Sequence, residues 1–166
     1  MTRSVKITLI VILAAVGVCL LICGGVATWL YVSLRDDFAP PQGIRVAVGS
    51  PDQVNAGDTF IIELRVANDA AEPQIIQSID VYDSYLAGVL LKSSDPPWSS
   101  SSHIMDFVTY DYDLEIPPGG QQVVKFEASA IQAGDFQGDF DVCINSDTSF
   151  ITEVVRTIVN DAAAAN

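Results

Sequence analysis

The chain has 166 residues, 49% of them hydrophobic, with 21 acidic side chains against eight lysines and arginines and a formal net charge of −13. That balance excludes a nucleic-acid-binding role, because neutralising phosphates requires a basic face. Three cysteines are too few for a disulfide-stapled scaffold, so stability must come from an apolar core.

Residues 7–34 form an uncharged run of 28 residues, ITLIVILAAVGVCLLICGGVATWLYVSL. About 20 apolar helical residues cross a bilayer, so this run is expected to be a single transmembrane helix. As a helix it would be roughly 42 Å long against a hydrocarbon core of about 30 Å. The surplus falls at its C-terminal end, where Trp29 and Tyr31 are rings of the type that settle at headgroup level. Arg3 and Lys6 precede the run, whereas Arg35 is followed at once by Asp36 and Asp37. This asymmetry places residues 1–6 in the cytoplasm and the bulk of the chain outside the cytoplasmic membrane, with the lipid bilayer as its first partner.

A cleaved signal ending at Gly25-Val26-Ala27 is the competing reading, but apolar sequence continues past that point. Val18 before Cys19 and Ile22 before Cys23 do not resemble a lipoprotein signal, and no acidic residue gives the run a pilin character. Ala15, Cys19, Cys23 and Ala27 recur every fourth residue and would make a ridge suited to a helix–helix contact. The alternative is that these small residues are ordinary filler in a lone span.

All 21 acidic residues and five of the basic ones lie after Arg35, giving that part a formal charge of −16. Residues 35–43, with Pro40-Pro41, read as a stiff spacer. Residues 44–160 then form the globular domain. Strands are expected at residues 44–48, 59–68, 75–82, 86–92, 107–116, 123–130, 136–144 and 150–159. The clearest is 59–68, where Phe60, Ile62, Leu64 and Val66 alternate with polar residues, the pattern of one buried and one wet face. In the third strand Ile75, Ile79 and Val81 share the buried side. Val124, Phe126, Ala128 and Ala130 do so in the sixth, and Phe136, Phe140, Val142 and Ile144 in the seventh. Ser93–His103, with two prolines and six serines, reads as a loop, and residues 161–166 as a frayed tail. Short strands separated by Gly, Pro and Asp turns argue for an antiparallel β-sandwich, with a barrel as the alternative.

Candidate site residues are few. His103 is the sole histidine, and no nucleophile elbow is present, so no catalytic set is expected. No cofactor or zinc site is expected either, with one histidine and Cys143 as the only cysteine outside the apolar run. Cys143 reads as a small apolar filler, intermolecular pairing being the alternative. Asp135, Asp139 and Asp141, joined by Asp111 and Asp113, are the calcium candidates, since hard cations take oxygen ligands; the alternative is an ordinary solvated face. Trp98, between Pro97 and Ser99, is the binding candidate, the alternative being that it folds back to cap the sandwich.

Three pieces carry a family resemblance: Val54-Asn55-Ala56-Gly57-Asp58 before the strand ending Val66-Ala67-Asn68, Ile116-Pro117-Pro118-Gly119-Gly120 before Val123–Ala130, and Ala133-Gly134-Asp135-Phe136 before the Val142 strand. In this order they resemble the Ig-like domains of bacterial and archaeal surface proteins, including the cell-adhesion-related repeat, over about Val46–Ile144. The chain differs in holding a single copy with a long serine-rich insertion, Asp83–Asp106. The resemblance implies an all-β Ig-like antiparallel sandwich, here preceded by a single N-terminal transmembrane α-helix, and a non-catalytic role in adhesion or as an accessory module contacting another protein. A small subunit of a membrane complex and a carbohydrate- or calcium-binding module are the alternative functions.

Overall fold

Apolar alternation in the globular part is realised as ten strands in a computed structural model, which describes residue 17, residues 20–31 and residues 40–162. The strands are β1 (Ile44–Gly49), β2 (Gln53–Asn55), β3 (Thr59–Asn68), β4 (Gln74–Tyr82), β5 (Val89–Asp95), β6 (Ser100–Ile104), β7 (Phe107–Ile116), β8 (Gln121–Ala130), β9 (Gly134–Ile144) and β10 (Phe150–Asn160). They form a four-stranded sheet, β1-β3-β8-β5, and a six-stranded sheet, β2-β10-β9-β4-β7-β6. All pairings are antiparallel except that of β2 with β10. Two separate sheets make this a sandwich, and the barrel alternative falls.

The inner faces supply the core. Ile62, Leu64 and Val66 of β3 and Val124, Phe126 and Ala128 of β8 are fully buried in one cluster with Ile76, Ile79 and Val81 of β4 and Phe140, Val142 and Ile144 of β9. Phe126 is an aromatic hub, with the rings of Tyr110, Tyr112 and Phe140 centred 5.7, 6.5 and 6.4 Å away. The helix Asp83–Leu86 adds buried Tyr85, whose hydroxyl lies 2.9 Å from Thr157 Oγ1.

The turns quoted for the family resemblance are structural joints. Gly57 and Gly119 both have positive φ, 93° and 70°, where a side chain would be strained. The Gly57 N–H donates to the Ala130 carbonyl, and the Ala130 N–H to that of Asp58. The Gly119 N–H donates to the Asn68 carbonyl, while the Asn68 N–H donates to that of Gly120.

Several expectations need correction. Eight strands were expected, but β2 and β6 are also present. Residues 86–92 do not form one strand, because the Asp83–Leu86 helix precedes β5. Ser93–His103 is not simply a loop, since it contains the end of β5 and most of β6. In β4 a bulge between Ile76 and Ser78 shifts the alternation by one residue. Ile76, not Ile75, therefore enters the core with Ile79 and Val81.

The chain divides at Pro40 into two units. In the first, residues 20–31 are helical with exposed side chains, including Cys23 and Ala27. Among the described residues no helix is long and apolar enough to cross a membrane. The rest of the expected 7–34 span, Ala15 and Cys19 of the small-residue ridge, most of the spacer and residues 163–166 lie outside the described residues.

Candidate functional site: the acidic face of the six-stranded sheet

The bulge in β4 has a second effect. It turns Ser78 and Asp80 to the outer face of the six-stranded sheet, opposite the core. Strand register then builds rows of side chains on that face. One row runs Thr152, Asp141, Asp80, Thr109, Ser102 across β10, β9, β4, β7 and β6. The next runs Phe150, Cys143, Ser78, Asp111, Ser100. On the other side of the acidic row, Tyr82 pairs with Phe107 and Phe107 with Ile104. The Tyr82 and Phe107 rings are 5.5 Å apart.

Asp80 and Asp141 are direct cross-strand partners, an arrangement that places like charges opposite one another and destabilises a sheet. Asp141 is only 6% exposed and accepts a hydrogen bond from Thr152. The Cys143 thiol, fully buried, points at Asp80 Oδ2 (3.8 Å) and at the carbonyl of Asp147 (3.9 Å) in the β9–β10 loop. Ser78 is 1% exposed. Its Oγ and Asp80 Oδ1 are both buried without a hydrogen-bond partner within normal distance, although Ser78 stands between Cys143 on β9 and Asp111 on β7 in the strand register.

Desolvation governs the titration of these groups. Burial raises the pKa of Asp80, reinforced by Asp141 and Asp147 and partly offset by Thr109. Burial likewise raises that of Asp141, with the Thr152 hydrogen bond opposing it. The Cys143 thiol is pushed up to about 12 by burial, which leaves it protonated and unreactive at neutral pH. Tyr82 is also raised, first by burial and then by the surrounding carboxylates.

No base offsets the acids. Arg45, Arg65, Lys92 and Lys125 are on the four-stranded sheet, where they contact Asp69, Glu63, Thr59 and Glu63 respectively. Arg156 is on β10, bound to Asp135 at 2.6 Å and offset from Asp141 by four residues of register, about 13 Å along the strand.

A cavity of about 220 Å³ opens at the junction of β4, β6 and β7. Ser78 and Asp80 lie in it, Thr109, Asp111, Asp147 and Ser102 add oxygen atoms, and Ile104 and Phe107 form an apolar wall. Asp111 Oδ2 accepts a hydrogen bond from Ser100 Oγ.

The residues singled out in the sequence are placed as follows. Asp135, Asp139 and Asp141 do not converge: Asp135 is engaged by Arg156 and stands six residues from Asp141 on one strand, about 20 Å away. Asp113 is exposed, with φ 84°, whereas Asp111 and Asp141 share the acidic face with Asp80 between them. Among the described residues no three His, Cys, Asp or Glu side chains are grouped to hold a metal ion. Trp98 is half-buried, its ring 4.8 Å from that of Tyr110 and 6.3 Å from that of Phe126; it caps the core. His103 Nε2 lies 2.9 Å from the Asp83 carboxylate. Trp29 and Tyr31 are exposed on the helical segment 20–31. Cys143 is free and fully buried, as expected of a small filler, but strand alternation turns its thiol toward the Asp80 carboxylate instead of the central core. Asp80 and Ser78 were missed. The signal was legible as polar residues alternating with inward Ile79 and Val81; their pairing with Cys143 and Asp141 across the strands was not.

Neither protein-family models nor curated proteins match this chain. Solved structures resemble it at low identity. The native conformation of Escherichia coli alpha-2-macroglobulin matches with 14% identity and a TM-score of 0.46 over 73% of this chain, which spans only 7% of that one. A cohesin module from a Clostridium perfringens family 33 glycoside hydrolase matches with 10% identity and a TM-score of 0.49 over 73% of this chain and 99% of that one. The CARDB domain of a Pyrococcus furiosus protein, in complex with di-metal ions, matches with 13% identity and a TM-score of 0.44 over 70% of this chain and 86% of that one.

Proposed function

We propose that this chain is a non-catalytic binding module, an Ig-like β-sandwich held outside the cytoplasmic membrane by an uncleaved N-terminal helix and contacting another protein through its acidic face. The observation that carries the binding role is the Asp80–Asp141 pair. Two desolvated carboxylates face one another across adjacent strands with no base beside them, at a cost to the fold. Local rules broken in this way mark functional sites. The uncharged run at residues 7–34 and the excess of Lys and Arg before it support the anchor and its orientation.

The test places a photocrosslinking residue at Ser102, exposed on the acidic face, or at Thr59, exposed on the opposite sheet. Illumination of native membranes should give a protein adduct from position 102 and little from 59. Adducts of equal yield, or from 59 alone, would remove the acidic face from the reading. Protease added outside intact cells or spheroplasts should digest the sandwich; its survival there would remove the orientation.

A further inference from the structure

The cavity at the β4–β6–β7 junction has an unusual division of labour. Its inner part offers two buried atoms with no partner at normal hydrogen-bond distance, Asp80 Oδ1 and the hydroxyl of almost fully buried Ser78, with Thr109 and the Cys143 thiol as weak neighbours. Its side, made by Ile104 and Phe107, is apolar. Buried carboxylates are ordinarily paired with a cation or bound to a metal. A metal centre is disfavoured here, because among the described residues no three acidic, His or Cys side chains are grouped to coordinate one, and hard ions gain nothing from an apolar wall. A cavity of about 220 Å³ is also far larger than one ion. Lysine and arginine match both parts, since each carries a charged head on an alkyl stem that packs along apolar surface. Among the described residues the one lysine or arginine on this face is Arg156, bound to Asp135 and about 13 Å along the strand from Asp141, so it does not supply the missing partner.

We propose, building on the binding role above, that this cavity receives a lysine or arginine side chain from a partner protein, its head against Asp80 and Ser78 and its stem against Ile104 and Phe107. Asp111 and Asp147 at the mouth draw the cation in, and the Tyr82–Phe107 row flanks the partner backbone.

The experiment uses the full chain in detergent micelles, with N-acetyl-arginine amide and N-acetyl-lysine amide as probes and backbone amide NMR as the readout. At least one probe should shift the amides of residues 78–80, 107–111 and 147 saturably, while the uncharged citrulline counterpart leaves them unmoved. Asp80→Asn, which keeps the shape and removes the charge, should weaken the response about tenfold or more. Ser78→Ala should weaken it less. Both variants are first shown to melt cooperatively. No saturable shift from either cation, an equal shift from the citrulline probe, or saturation by calcium chloride at far lower concentration than either amide would overturn the inference.

The crosslinking arm separates this inference from the broader reading. In membranes, Asp80→Asn should abolish the adduct formed from position 102, and the adducted partner peptide should carry a lysine or arginine. A full-yield adduct in Asp80→Asn would overturn the cavity as the anchor point and leave the acidic face as the interface. Loss of the adduct from the parent chain itself would overturn both.

Discussion

Asn68 shows how one side chain closes several joints at once. It is fully buried at the end of β3. Its Nδ2 donates to the carbonyls of Glu72 (2.9 Å) and Ile116 (3.0 Å), and its Oδ1 accepts from the Ala70 N–H (2.9 Å). Replacing it by alanine strands three backbone groups, so Asn68→Ala should cost about 2–3 kcal/mol in urea unfolding, with no change in binding at the distant acidic face. Asp80 gives the opposite sign. Its folded-state pKa, raised by burial, exceeds the unfolded value of about 3.9. The folded chain therefore binds that proton more tightly, and stability is lost as pH rises through the interval between the two values. The full penalty stands at neutral pH. Asp141 acts in the same sense. Glu63, Asp69 and Asp135, held low by hydrogen bonds from Arg65, Arg45 and Arg156, act in reverse, and their contribution lapses as pH falls through their folded values. Asp80→Asn should thus raise the Tm at pH 7 by a few degrees and leave it nearly unchanged below pH about 4, flattening the profile between. A lower Tm at pH 7 would show that the carboxylate is not penalised by desolvation.

The strands differ in how far the sequence announces them, and the reason is what holds each one. β3 and β8 are specified by their own apolar alternation, and β3 was read to its last residue. β6 is held by its ladder to β7 and by side-chain contacts of Ser100 with Asp111 and of His103 with Asp83; all five of its residues are exposed, so SSSHI carries no period to read. β2 is three residues long and exists because β10 offers it an edge. The bulge in β4 was equally hidden, since an inserted residue leaves IIQSIDVY looking like ordinary alternation in either phase. The candidate site was hidden with it, because the bulge decides that Asp80 and Ser78 stand beside Asp141 and Cys143. Asp111 and Asp141 were legible as acids on a strand, but not as neighbours. Trp98 was legible as a residue in search of cover, and Phe126 provides it. Hydrogen exchange should rank the strands by the same logic. Amides of β6 should exchange fastest among the long ladders, and those of Ile62, Leu64 and Phe126, in the middle of the four-stranded sheet, slowest. Protection of β6 equal to that of β8 would mean that the edge is covered by something other than its own chain.

At the scale of the molecule, charge and apolar surface are sorted by sheet and by segment. Four of the five basic residues after Arg35 lie on the four-stranded sheet, and the acidic face of the other sheet has Arg156 alone at its far end, already engaged by Asp135. Association through the acidic face should therefore slow markedly as salt is added, because long-range attraction between opposite charges is screened over about 10 Å at 0.1 M. The core is sorted too. Among the described residues every member of its cluster lies between Ile44 and Val159, so the core contacts they make all fall after the Pro40 division. A chain cut to residues 40–166 carries a formal charge of −14, enough to keep it dissolved at neutral pH without detergent. It should melt within a degree or two of the full chain in micelles, because a cut that removes no core contact removes no term in the unfolding free energy. A Tm lowered by several degrees would mean that residues 1–39 contribute to the fold of the sandwich, and the proposed anchor would then have to be treated as part of the proposed binding module and not merely as its tether.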